Sequence, residues 1–305
     1  MTRQTWILLL LLSLLWGGSF LFQAVAVTEI PVFTIVWTRV VLAAIVLWLV
    51  IAATGARVVW SRAAVIACLG MSVTNNAVPF SLIIWGQSQI AVGLASILNA
   101  TTPLWTVLAL HVFTRDDRLT GRKIAAVALG LAGVAVLVGP EALGSGGPLL
   151  PQLAVLGGAL SYGLGGVWSR RFKGLGLSPP AIAAGQLTGS SLILLPLVLT
   201  VDQPWALPTP GLAPILSVLG LALLSTALAY VLFFRILDLA GPATLSLVTL
   251  LIPVSATGLG WAVLGQSIGP GELAGAALIG LGLAVMDGRP VALLRRTLGR
   301  AKTGA

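Results

Sequence analysis

Three prolines set inside long apolar runs, Pro79, Pro103 and Pro253, each follow a polar residue by four positions: Asn75, Asn99 and Thr249. Proline has no N–H, so within a helix the carbonyl four residues before it loses its partner. Each of these residues therefore combines a freed backbone acceptor with a polar side chain. Asn76, Thr101, Thr102 and Thr226 lie in the same kind of apolar run, as do the aromatic residues Trp16 and Tyr162. Such groups can hydrogen-bond a ligand, or they can tie neighbouring helices together while the prolines kink them. Arg39 is a lone base about seven residues, roughly 10 Å, inside its run. Three uses fit it: holding a substrate carboxylate, snorkelling to lipid headgroups, or binding unpaired carbonyls.

Bond-making chemistry finds no support. No spacing matches a phosphate loop, a metal cluster or a catalytic triad, and the one histidine, His111, ends an apolar run where an interfacial position is expected. The single cysteine, Cys68, allows no intrachain disulfide. No cofactor is expected.

The elements that carry these residues follow from composition. Of 305 residues, 58% are apolar and 8% charged, against roughly 25% charged in an ordinary soluble domain. A chain this poor in charge cannot cover itself with polar side chains, which excludes soluble enzymes and nucleic-acid binders. Its repeated apolar runs can each cross a hydrocarbon core of roughly 30 Å. Ten spans are predicted, at 6–27, 32–53, 63–85, 90–113, 121–139, 150–168, 180–200, 211–233, 242–264 and 271–287. The sequence thus predicts an all-α integral membrane protein. The first run resembles a secretory signal, but Trp16–Gly17–Gly18–Ser19–Phe20 is too bulky for a usual cleavage region, so it is expected to stay as a span.

Of the 17 bases, all but Arg39 fall in alternate segments, which hold Arg3, Arg57, Arg62, Arg115, Arg118, Arg122, Lys123, Arg170, Arg171, Lys173, Arg235 and the basic tail. The opposite loops hold Glu29, Glu141, Asp202 and Glu272 without a base. The positive-inside rule then puts both termini in the cytoplasm. The tail residues Arg295, Arg296, Arg300 and Lys302 could also attract anionic lipid. Glycine is abundant, and pairs such as Gly271/Gly275 and Ala126/Gly130 have the small-xxx-small spacing of close helix contacts, with helix packing the expected use and oligomerisation the other.

A shift of 150 residues lays 69–139 over 219–289. Leu69–Gly70 meets Leu219–Gly220, Ala77 meets Ala227, Ser96 meets Ser246, Pro103 meets Pro253, and Gly130–Leu131 meets Gly280–Leu281. Five spans followed by five of matching order predict an inverted 5+5 repeat, because an odd count reverses the second half. The units are 1–140 and 141–305. Such repeats recur in secondary transporters, with the substrate site near the midplane between the halves.

The segment Trp16–Phe20, the stretch from Ala95 to Trp105 (ASILNATTPLW) and the stretch from Gly275 to Gly282 (GAALIGLG) resemble the EamA-type family of the drug/metabolite transporter superfamily. The resemblance covers both halves. It implies a ten-helix fold that moves a small metabolite, often an amino acid or related compound, outward across the bacterial inner membrane. It also implies that Trp16, Asn99, Pro103, Tyr162 and Gln186 fall on the cavity-forming spans. With Arg39, Asn75, Asn76, Thr226 and Thr249, these complete the expected substrate cavity. One departure is Gln266, where the family usually has an acid. The expected partners are a small-molecule substrate and the bilayer. No nucleic acid is expected, and no nucleotide-binding motif supports ATP-driven pumping. All eight acids fall at span ends or in loops, so no buried carboxylate is expected to carry a proton. A membrane-embedded transferase or a non-transporting scaffold are the rival readings. The first lacks acidic or His clusters at a membrane face, and the second leaves the midplane polar set without a use.

Overall fold

The computed structural model describes residues 2–55, 58–114, 119–143, 149–245 and 247–287. Arg57, Arg115, Asp116, Asp117, Arg118 and the basic tail beyond Asp287 lie outside these residues, as do residues 144–148 of the connection between the halves. The described residues form helices without strands. Eight are long and apolar enough to cross a membrane: α1 (Arg3–Ala26), α2 (Val32–Thr54), α3 (Arg62–Gln87), α4 (Val92–Phe113), α5 (Gly121–Val138), α6 (Leu149–Phe172), α7 (Pro179–Ala206) and α8 (Leu212–Gly241). Two shorter apolar helices follow, α9 (Val248–Leu264) and α10 (Pro270–Met286). Large apolar side chains cover the outside: Leu49 is 64% exposed, Leu192 65% and Val254 71%. Such a surface suits lipid and not water, so this is a multi-pass membrane protein.

The ends of the helices follow local chemistry. Thr2 and Ser61 begin α1 and α3 by accepting the N–H of Thr5 (3.2 Å) and Ala64 (3.1 Å). Gly55 ends α2 in the left-handed region at φ 64°, where a side chain would be strained. Gly241, at φ 73°, turns the chain after α8. That turn corrects the predicted ninth span, which starts at Val248 and not at 242.

Three helices depart from regular geometry where the sequence placed polar residues. In α3 the segment Ser72–Ala77 is a π-helix, and in α8 so is Leu223–Leu228. Such one-turn bulges often mark functional sites. In α4 the helix stops at Asn99 and restarts at Thr102, so Pro103 opens a second helix and does not kink a continuous one. Pro253, by contrast, lies inside an unbroken α9.

α1 packs along α9 and α6 along α4; α3 packs on α6 and α8 on α1; α2 packs on α7 and α5 on α10. The last pair meets through glycines. A Cβ at Gly133 would lie 2.7 Å from the carbonyl of Gly275, so only glycine allows this approach. Two apolar cores result. One gathers α1, α4, α6 and α9, and the other gathers α2, α7 and parts of α3 and α8. Tyr162 packs against both, and the space between them is a cavity.

Candidate substrate cavity

The cavity has a volume of about 680 Å³, enough for a small metabolite. Eight of the predicted residues line it: Trp16, Arg39, Asn75, Asn99, Tyr162, Gln186, Thr226 and Thr249. Asn76 and Pro103 do not. Asn76 is fully buried and its Nδ2 donates to Ser190 Oγ at 3.0 Å, so it ties α3 to α7. Neighbours on a helix point roughly 100° apart, so Asn75 and Asn76 cannot share a face. Pro103 sits at the start of the second half of α4, outside the lining.

One freed carbonyl also needs correcting. The Asn99 carbonyl does not face a ligand, because the Thr102 hydroxyl donates to it at 2.7 Å. What Asn99 offers is its side chain, whose Oδ1 is buried without a hydrogen-bond partner among the described residues. Gln23 Oε1, also on the lining, is in the same condition.

A polar network crosses the cavity wall. Asn75 Nδ2 donates to Gln186 Oε1 (3.4 Å), and Gln186 Nε2 donates to the Tyr230 hydroxyl (3.0 Å). The π-helix of α8 turns Thr226 inward, where its hydroxyl donates to the Leu221 carbonyl (2.7 Å) and accepts from Arg39 Nε (2.8 Å). The Arg39 guanidinium lies 3.9 Å above the Phe80 ring. It is 5% exposed, and among the described residues no acidic side chain is on the lining.

Aromatic rings make the apolar side. Trp16 lies 5.8 Å from Phe233, Phe233 5.4 Å from Phe234, and Phe234 5.9 Å from Tyr230. Sequence reasoning missed Gln23, Tyr230 and Phe233. Gln23 and Tyr230 were findable as polar groups within apolar runs, and Tyr230 with Phe233 and Phe234 has the spacing of one helical face.

The lining includes Phe172, Pro179 and Leu237, close to Arg170, Arg171, Lys173 and Arg235. No lining residue comes from 27–31, 201–211 or 265–269, at the acidic end. There the helices are tied together. Gly211 N–H donates to Glu29 Oε2 (2.7 Å), while Asp202 Oδ2 accepts from both Thr34 N–H (2.6 Å) and its hydroxyl (2.9 Å). Val92 N–H donates to Gln266 Oε1 (2.9 Å), so this amide caps α4 without charge. Gln87 Nε2 donates to the Phe20 carbonyl. No group of three or more potential metal ligands exists among the described residues.

The EamA-like transporter family model matches residues 4–139 and again 149–286. The chain belongs to this family. It is accordingly a membrane transporter of EamA type and not an enzyme. It is 25% identical over 296 residues to a probable amino-acid metabolite efflux pump of Salmonella typhimurium, spanning 93% of this chain and 95% of that one. An uncharacterized transporter, YoaV, of Bacillus subtilis is 24% identical over 275 residues, 89% of this chain and 92% of that protein. A probable terminal-alkyne amino-acid exporter of Streptantibioticus cattleyicolor is 28% identical over 224 residues, 72% and 70% of the two chains. A solved crystal structure with 20% identity superposes at a TM-score of 0.65 and covers 98% of this chain and 99% of its own, which supports the fold.

Proposed function

We propose that the chain is a secondary transporter of the bacterial inner membrane that exports a small metabolite, an amino acid or related compound, by alternating access. Its ten helices form an inverted 5+5 repeat of units 1–140 and 141–305, with both termini cytoplasmic. The observation that carries the reading is one cavity lined from both units, including Arg39, Asn75 and Asn99 from the first and Tyr162, Gln186 and Thr226 from the second. The packing supports the repeat, because exchanging each helix with the one five places on turns α1–α9 into α6–α4 and α3–α6 into α8–α1, and returns α2–α7 and α5–α10 to themselves. The π-helices of α3 and α8 exchange likewise. The family model's two matches fit the same division. The efflux-pump and exporter names of the relatives support amino-acid-like substrates.

Proteoliposomes loaded with radiolabelled amino acids test the reading. Counterflow should exceed that of empty vesicles and disappear in Asn99→Leu, which removes an unpartnered cavity amide, while membrane insertion persists. Unchanged flux in that variant refutes the cavity as the path. External labelling of a cysteine placed beside Arg171 in intact cells refutes the orientation.

A further inference from the structure

The sequence left three uses open for Arg39, and its surroundings remove two. It does not snorkel, since it is 5% exposed and lines the cavity. It does not hold unpaired carbonyls, since its one hydrogen bond among the described residues is from Nε to the Thr226 hydroxyl. A guanidinium has five N–H donors. With Nε committed, the Nη1 and Nη2 groups have no protein acceptor among the described residues. Phe80 below and Thr226 beside it fix the plane of the fork.

A buried charge without a counter-charge is costly, and far more so inside a membrane than in water. Among the described residues, no carboxylate lines this cavity to offset it. The group that best complements a fixed, planar, two-pronged donor is a carboxylate, bound through two parallel hydrogen bonds. Beside it, Trp16, Phe233 and Tyr230 offer apolar faces. A cationic ligand would meet a like charge with nothing on the lining to neutralise it.

Resting on the transporter reading above, we propose that Arg39 is the carboxylate anchor of the cavity, and that the chain takes small organic carboxylates with an apolar or aromatic body. Thr226 is a positioning residue, aiming the fork through its bond from Arg39 Nε.

Calorimetric titration of the purified full chain in detergent tests this with L-phenylalanine, L-leucine and 3-phenylpropionate against their carboxamides. The acids should bind at least about 10-fold more tightly than the amides. Arg39→Gln should erase that preference, and Arg39→Lys should keep part of it. If Arg39→Gln fails to assemble, Thr226→Val keeps the charge and should weaken the acids several-fold more than it weakens the amides. Amides binding as well as acids, a preference that survives in Arg39→Gln, acids unaffected in Thr226→Val, or no acid binding at millimolar concentration would each overturn the proposal. Flux in proteoliposomes separates the two readings. Acid binding without flux sinks the transporter and spares the anchor, whereas flux of amides equal to that of acids does the reverse.

Discussion

At the acidic end of the bundle, the N-termini of α2, α4 and α8 are capped from far along the chain. Asp202 takes Thr34 N–H, Gln266 takes Val92 N–H, and Glu29 takes Gly211 N–H. At the base-rich end, α1, α3 and α5 are capped by their own neighbours: Thr2 takes Thr5 N–H, Ser61 takes Ala64 N–H and Thr120 takes Lys123 N–H. Both solutions satisfy orphan donors of a first turn. Only the distant caps join one half of the chain to the other. The same capping chemistry therefore ties the halves together at one end and only finishes single helices at the other, and the cavity reaches toward the end whose caps stay local.

If the distant caps are the seal, Asp202→Ala has the largest effect, because one carboxylate serves two donors. Charge-assisted bonds contribute about 1.5–3 kcal/mol, so the population open at the acidic end should rise about 10- to 100-fold. The measurement is the rate at which an impermeant maleimide applied to that face labels Gln23→Cys, in a Cys68→Ala background. An unchanged rate would show that the bond does not seal. Ser61→Ala removes a local cap of similar geometry and should lower stability by about 1 kcal/mol. Its signature is a lower melting temperature in detergent with labelling at Gln23→Cys unaltered; faster labelling would erase the distinction between the ends. Glu29→Gln keeps an oxygen for Gly211 but loses the charge, and the site is exposed and screened, so labelling should rise only two- to threefold. The smallest effect is expected of Gln266→Glu. It adds charge at the first turn of α4, and about 0.5 kcal/mol of added closure should slow labelling about twofold.

Most of the helical framework was legible, because a span announces itself by length and composition. What hydropathy cannot sense is register. An inserted π turn changes which side chain faces inward without changing composition, so Asn75 and Asn76 looked equivalent although one lines the cavity and the other binds Ser190. Proline was an incomplete guide for a related reason. The backbone at Pro103 breaks where Thr101 and Thr102 hydroxyls satisfy the carbonyls of Leu98 and Asn99, whereas α9 runs unbroken through Pro253. The caps at the acidic end were invisible, since each joins residues more than 160 positions apart. Arg39 was visible as an anomaly, and what the fold adds to its proposed use is the lack of acids on the lining among the described residues.

Arg39 also gives the cavity an electrical sign. A carrier that opens to alternate sides of a membrane moves this charge between two potentials, which is worth about 2.3 kcal/mol for each 100 mV of the drop it crosses. With a monocarboxylate bound the pair is neutral and crosses without electrical work. Emptied, it is a cation, and a membrane negative inside draws it back toward the cytoplasm. In the proposed outward cycle, an anionic monocarboxylate would take one negative charge out per turnover, with the resting potential as its drive, whereas a zwitterionic amino acid would take none.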